Sequence, residues 1–169
     1  MLFEHQIGFA KSENEIDTYK RIAVRAIIMK DNKLLMVFNN KGDIKFPGGG
    51  VEADETHANA IIREVEEETG YKLLNVESQA GIVTERRRDL FDCKCIFEMK
   101  SYYYMCTVSE EKSTQSLDEY EAELGFIPRW VSLDEAIKIN QRTTKLNDKN
   151  PWVERELYVL SQLKNHFKT

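Results

Sequence analysis

Fourteen residues from Thr56 to Thr69 run without glycine or proline, and Ala58, Ile61, Ile62 and Val65 recur among them at helical spacing. The segment reads as one amphipathic helix. Successive helical residues turn by about 100°, so Glu64, Glu67 and Glu68, at i, i+3 and i+4, share one flank while Glu66 points away from Glu64. These like charges repel. An exposed i,i+4 pair costs about 0.2–0.5 kcal/mol, and two partly buried charges roughly 6 Å apart at an effective dielectric near 20 cost about 3 kcal/mol. Stability alone does not select such a cluster. A cation does, because hard divalent ions such as Mg²⁺ take oxygen ligands from a few carboxylates, together with waters and substrate phosphates. Arg63 neutralises part of the cluster before an ion arrives.

The acidity is local. Residues Gly49 to Tyr71 hold seven acids and one base, 1 − 7 = −6, against −5 for the whole chain, so the other 146 residues sum to about +1. A chain without a broad basic field is a poor candidate for sequence-independent binding to duplex nucleic acid. The exception is Arg86-Arg87-Arg88, which reads either as an exposed basic hairpin tip or as a loop in which Arg87 meets a distal phosphate.

A Glu run is often only a solvated helix face, and the context decides. The helix is fed by a glycine turn, FPGGG at Phe46 to Gly50, through Glu55. Gly49, five residues, Glu55, seven residues, then Arg63-Glu64-Val65-Glu66-Glu67-Glu68-Thr69-Gly70-Tyr71 resembles the Nudix box of the Nudix hydrolases at every fixed position. Tyr71 stands where the family more often has an aliphatic residue, a packing position remote from the chemistry.

That resemblance implies an α/β fold, an α/β/α sandwich with a mixed sheet between the central box helix and a C-terminal helix. It also implies Mg²⁺- or Mn²⁺-dependent hydrolysis of a diphosphate linked to another moiety, usually a nucleoside. Glu64, Glu67 and Glu68 would hold the ions, with the carbonyl of Gly49 as a further ligand, Arg63 orienting the glutamates and Glu55 steadying the loop. Family members take their general base either from the box, here Glu67, or from a later loop, here Glu119, Glu121 or Glu123; Glu67 is the expected base, with Glu121 the loop candidate.

Outside the box, Arg25 and Lys45 flank the glycine turn and either meet phosphate or sit on the sheet surface and in solvent. Asn150 resembles, by its place before the last helix, an asparagine that reads the base in the mutator-type branch, although the helix N-cap is the role its position favours. Tyr102-Tyr103-Tyr104 offers a stacking face or ordinary core. The leading substrate is a small nucleoside di- or triphosphate, modified or not. The alternatives are a nucleoside diphosphate joined to a sugar, as for an ADP-ribose-type pyrophosphatase, and a non-catalytic nucleotide sensor, which the full set of box glutamates disfavours.

At 169 residues the chain is long enough to bury about 70% of its unfolded surface. One domain over 21–169 is expected, with 1–20 as an added strand or arm over a sheet edge. The N-terminus MLFEHQIGFAKSENE has neither a basic start nor an apolar run, and no segment approaches the roughly 20 apolar residues of a membrane span. A cytoplasmic protein is the expectation. Cys93, Cys95 and Cys106 are an odd set suited to reduced thiols, and no four-ligand zinc pattern is visible. Nothing in the sequence decides between a monomer and a homodimer.

The element order expected is a hairpin, Arg21–Met29 and Lys33–Phe38 across Asp31-Asn32, then a short strand at Ile44–Phe46 and the box helix, capped by Asp54 and stopped by Gly70. Strands Leu73–Glu85 and Lys94–Val108 pair, Ser109–Glu123 is a loop, and Gly125–Val131 returns to strand. A short helix follows from Ser132 to about Ile139. The last helix begins at Asn150-Pro151 and buries Val153, Leu157, Leu160, Leu163 and Phe167.

Overall fold

The computed structural model describes residues 1–10, 17–89, 95–146 and 149–167. Its strands are β1 (Phe3–Gly8), β2 (Asp17–Lys30), β3 (Lys33–Phe38), β4 (Ile44–Lys45), β5 (Tyr71–Arg88), β6 (Cys95–Lys112) and β7 (Ile127–Ser132). The helices are α1 (His57–Thr69), α2 (Glu119–Glu123), α3 (Leu133–Thr143) and α4 (Val153–Phe167). The sheet runs β1-β5-β6-β2-β3-β4, with β7 also paired to β3. It is mixed: β1 lies parallel to β5 and β2 parallel to β6, while the remaining pairs are antiparallel.

Alternation along β2 divides the core. Val24, Ala26 and Ile28 face α1, packing with Ala60, Ile61 and Val65, whereas Ile27 faces α3 and α4 with Ala136, Val159, Leu160 and Leu163. Period-two alternation between two buried faces requires both sides of the strand to be apolar, which the AVRAIIM run satisfies except at Arg25. The result is the α/β/α sandwich.

The β2–β3 hairpin turns through Asp31 and Asn32, both with positive φ (50° and 59°), the twist that a two-residue hairpin favours. Thr56, not Asp54, caps α1: its hydroxyl accepts from the Asn59 amide at 3.2 Å, and Asp54 instead takes a left-handed turn position (φ 64°). Gly70 ends the helix in the left-handed conformation, φ 74°.

Three segments differ from expectation. The acidic stretch after β6 is not a loop throughout, because pairing with β5 extends to Lys112 opposite Tyr71 and Glu119–Glu123 closes into a helical turn. The α3 helix continues past Ile139 to Thr143. Phe167, at the end of the apolar stripe, is 46% exposed and stays outside the core that Leu160 and Leu163 enter. Residues 3–8 form the edge strand beside β5, and β2 already begins at Asp17. Cys93 lies outside the described residues; Cys106 is buried and Cys95 half-buried. Among the described residues no helix is long and apolar enough to cross a membrane.

The glycine turn is laid against β2 by backbone bonds. Val24 N donates to Gly49 O at 2.9 Å, Ala26 N to Pro47 O at 2.8 Å and Val51 N to Ile22 O at 3.0 Å. Gly48 has φ +136°, and a Cβ there would run into the Val24 carbonyl, so only glycine allows this approach.

Candidate active site

Arg63 organises the box. Its Nε and Nη2 grip both oxygens of Glu55 at 3.0 and 2.9 Å, its Nη1 reaches Glu64 at 2.9 Å and Glu67 at 3.2 Å, and Nη2 also donates to the Gly50 carbonyl at 3.2 Å. One guanidinium thereby ties the loop to the helix. The two-pronged bond holds the Glu55 carboxyl below its usual range, and the surrounding carboxylates raise Arg63 above its own, as charge-assisted bonds do.

Glu64 and Glu68 point beneath the glycine turn. A Cβ on Gly49 would overlap the Glu64 carboxylate, so the glycine is the space in which that carboxylate sits. Glu68 is fully buried; it accepts from Lys45 Nζ at 2.5 Å and from the Gly48 amide at 2.9 Å. Burial pushes its carboxyl up to about 7, and Lys45 opposes that rise.

A third carboxylate arrives from α2. Segment 113–116 satisfies carbonyls at the end of α1: Ser113 N donates to Gly70 O at 2.8 Å, Gln115 Nε2 to Glu68 O at 2.6 Å and Ser116 N to Glu67 O at 2.9 Å. These are groups a helix end leaves unpaired, and binding them brings α2 beside the box. There Asp118 and Glu121 form a reciprocal capping box, Glu121 N to Asp118 Oδ1 at 2.7 Å and Asp118 N to Glu121 Oε2 at 3.1 Å. The carboxylates of Glu64, Glu68 and Glu121 converge, with ligand oxygens all within 4.8 Å of one another. Desolvation raises the Glu121 carboxyl as well.

Glu67 stands apart from that trio. At about 100° per residue, Glu68 lies roughly 40° to one side of Glu64 and Glu67 roughly 60° to the other, so Glu68 turns inward and Glu67 outward. The Glu67 side chain is 39% exposed. It lines an open cavity of about 1050 Å³ together with Arg63, Glu55 and His57.

A second, narrower cavity of about 450 Å³ lies on the α4 side, and Arg21, Gly50, Glu64, Asp118 and Glu121 line both. Glu64 and Glu121 therefore sit where the two cavities meet, with Glu68 on the narrower side. Arg25, Lys45 and Arg87 all line the narrower one. Arg25 and Lys45 are buried and both donate to the Gly48 carbonyl, Lys45 at 3.0 Å. Arg87 lies over the Phe97 ring, 4.7 Å from its centroid. The arginine triplet is split by strand alternation, and Arg86 is buried in an ion pair with Glu98.

Asn150 lines neither cavity. Its amide donates to Asp43 at 2.7 Å, which removes it from the base-reading position expected of it. The tyrosine triplet lines neither cavity either: Tyr103 is core, and Tyr102 and Tyr104 pack about His57. Phe126, Trp152 and Arg155 do line the narrower cavity and escaped the sequence reading. Glu121 had a legible signal in D-x-x-E at 118–121, the capping-box pattern; Trp152 had none beyond its place beside Asn150 and Pro151.

The donor set suits a hard divalent ion. All three converging groups are carboxylates, the ligand type Mg²⁺ and Mn²⁺ prefer. The Gly49 carbonyl is already engaged by Val24 N, with one lone pair left for a ligand.

A family model, the NUDIX domain, matches residues 19–155. The chain belongs to the Nudix family. The Nudix match runs from β2 through the box to the start of α4 and leaves out the edge strand β1. An ADP-ribose pyrophosphatase from Methanocaldococcus jannaschii is 44% identical over 72 residues, 40% of this chain and 42% of that protein. Nudix hydrolase 12, mitochondrial, from Arabidopsis thaliana is 33% identical over 112 residues, 64% of this chain and 53% of the relative. The chain thus spans about half the length of these curated relatives. Among solved structures, a Nudix hydrolase from Nitrosomonas europaea superposes with a TM-score of 0.61 at 22% identity, covering 89% of this chain and 90% of that one. At that identity the likeness speaks for the fold.

Proposed function

We propose that this Nudix chain is a metal-dependent pyrophosphohydrolase that cleaves the diphosphate of a small nucleoside diphosphate derivative. The observation that carries the reading is the convergence of Glu64, Glu68 and Glu121 within 4.8 Å at the junction of two cavities. Lys45 and Arg63 each offset one of these carboxylates, and a cation shared by all three relieves the repulsion that remains. Mg²⁺ or Mn²⁺ held there supplies charge to the anhydride oxygens and makes bound water more acidic.

The chain's own residues do the rest. Glu64, Glu68 and Glu121 hold the ion, and Arg63 fixes the rotamers of Glu64 and Glu67. Glu67, on the open side, takes the proton of the attacking water. Arg25 and Arg87 meet phosphate oxygens from the narrower cavity, where guanidinium forks suit them.

Of the two substrate classes expected, the nucleoside diphosphate joined to a second moiety is favoured by shape. A nucleoside in the narrower cavity leaves the open one, on the far side of the carboxylates, for a sugar. A triphosphate would leave that space to solvent. The relative from M. jannaschii bears the name of an enzyme for such a substrate, which supports the same choice.

The test is a panel of ADP-ribose, a UDP-sugar and the common nucleoside triphosphates, assayed with Mg²⁺ and with chelator. Expected is release of nucleoside monophosphate from the diphosphate-sugars, abolished by chelation. Turnover confined to triphosphates would overturn the substrate assignment. Tight binding without turnover of any compound would overturn the hydrolase.

A further inference from the structure

Asp43 is fully buried between β3 and β4, and its carboxylate accepts three side-chain bonds. Asn39 Nδ2 donates at 2.7 Å and Trp152 Nε1 at 2.8 Å to one oxygen, and Asn150 Nδ2 donates at 2.7 Å to the other. All three donors are neutral. Among the described residues no cation pairs with this buried carboxylate, so the cost of taking it out of water is offset by these three donors alone, each of which would be stranded in turn if Asp43 were apolar. What the arrangement does is fix the indole of Trp152.

The ring is held in two ways. Its only polar atom is bound at Asp43, and its carbon frame packs on the cluster of Val37, Leu124 and Phe126. The remainder of the ring lines the narrower cavity beside Phe126 and Arg155. Because Nε1 is already committed, Trp152 has no donor left for a ligand. It offers π surface alone. Such a surface suits a flat heteroaromatic ring and is indifferent to which base it meets.

We infer that Trp152 is the stacking residue for the base of the substrate and that Asp43 is its positioning residue. The inference rests on the nucleotide reading above and names the element that takes the base. Recognition at Trp152 is by stacking, so adenine and uracil derivatives both enter, the larger purine with more contact.

The experiment is binding of AMP and of ribose 5-phosphate, which lacks the base; neither contains an anhydride, so the result is independent of turnover. The chain has two tryptophans, and in Trp130→Phe the emission reports Trp152 alone. AMP is expected to quench it and ribose 5-phosphate to leave it unchanged. By calorimetry, Trp152→Ala should weaken AMP roughly tenfold or more, within the range for loss of a stacking aromatic. Asp43→Asn, which keeps the volume and one acceptor oxygen, should weaken AMP less, and Asp43→Leu more. In the Trp152→Ala background neither Asp43 variant should add any loss, a non-additivity that a merely structural role would not produce. If Asp43→Leu fails to fold, Asp43→Asn carries the same test. Unquenched emission with bound AMP, unchanged affinity in Trp152→Ala, or additive losses would each overturn the inference.

Discussion

Lys45 Nζ lies 2.5 Å from Glu68 Oε1 in a site where the two side chains are 7% and 1% exposed. The pair joins the strand entering the glycine turn to the helix leaving it. Removing the cation leaves a buried carboxylate uncompensated, which costs roughly 3–5 kcal/mol. The cost depends on pH, and the sign follows from the direction of the shift. Burial holds the Glu68 carboxyl at about 7 in the folded chain, above its unfolded value, so the folded state keeps the proton longer. Its contribution is full below the unfolded value and is lost as pH rises through about 7. Lys45→Met pushes the carboxyl further up. In urea unfolding with chelator present, the variant should lie near the wild type at pH 5 and fall well below it at pH 8. An equal deficit at both would show that the pair does not govern this step.

The box residues separate by role. Glu67→Gln should lower kcat by roughly 10²–10⁴-fold, the range for loss of a general base, while titration calorimetry still detects Mg²⁺ binding. Glu64→Gln and Glu121→Gln should weaken Mg²⁺ binding itself. A Glu121→Gln chain that binds Mg²⁺ like the wild type would remove Glu121 from the ion site.

Much of this site was readable because helix geometry and the box spacing act within twenty-three contiguous residues. Arg63, Glu64 and Glu68 fall where angular position alone puts them. Glu67 diverges from the pair by an angle that the same geometry contains. Glu121 was harder, because Glu119, Glu121 and Glu123 look alike as letters and only the cap with Asp118 distinguishes one. Trp152 and Asp43 are 109 residues apart and meet through the packing of α4 on the β3–β4 turn. No local pattern encodes such a meeting. Lys45 looked fit for solvent because its short strand gives too little alternation to show which face is inward.

Gly49 sits directly against the metal-site carboxylate of Glu64. Its Cα faces the Glu64 carboxylate with no room for a methyl group, so Gly49→Ala must turn Glu64 aside or lift the turn from β2. Displacing a ligand of this kind should weaken Mg²⁺ binding by about 10–100-fold, the range seen when support of a metal ligand is lost. The melting temperature without metal should change little. Unaltered Mg²⁺ affinity in Gly49→Ala would mean that Glu64 does not need its present position.

Beneath the narrower cavity, Arg155 is almost wholly buried between Glu85 and Glu156, with Nη1 2.6 Å from the first and Nη2 2.6 Å from the second. Glu156 also accepts from the Phe46 amide at 3.1 Å, so the network supports the strand that enters the glycine turn. Arg155→Met keeps the volume and strands two carboxylates, which should destabilise the chain by roughly 3–5 kcal/mol. Arg155→Met combined with Glu156→Gln leaves no full charge at Glu156 and keeps an acceptor for Phe46. The double variant should therefore recover part of that loss, because the two residues share one network. Chemical denaturation of both variants decides the matter: a double variant less stable than Arg155→Met alone would show that Glu156 is sustained by partners other than Arg155.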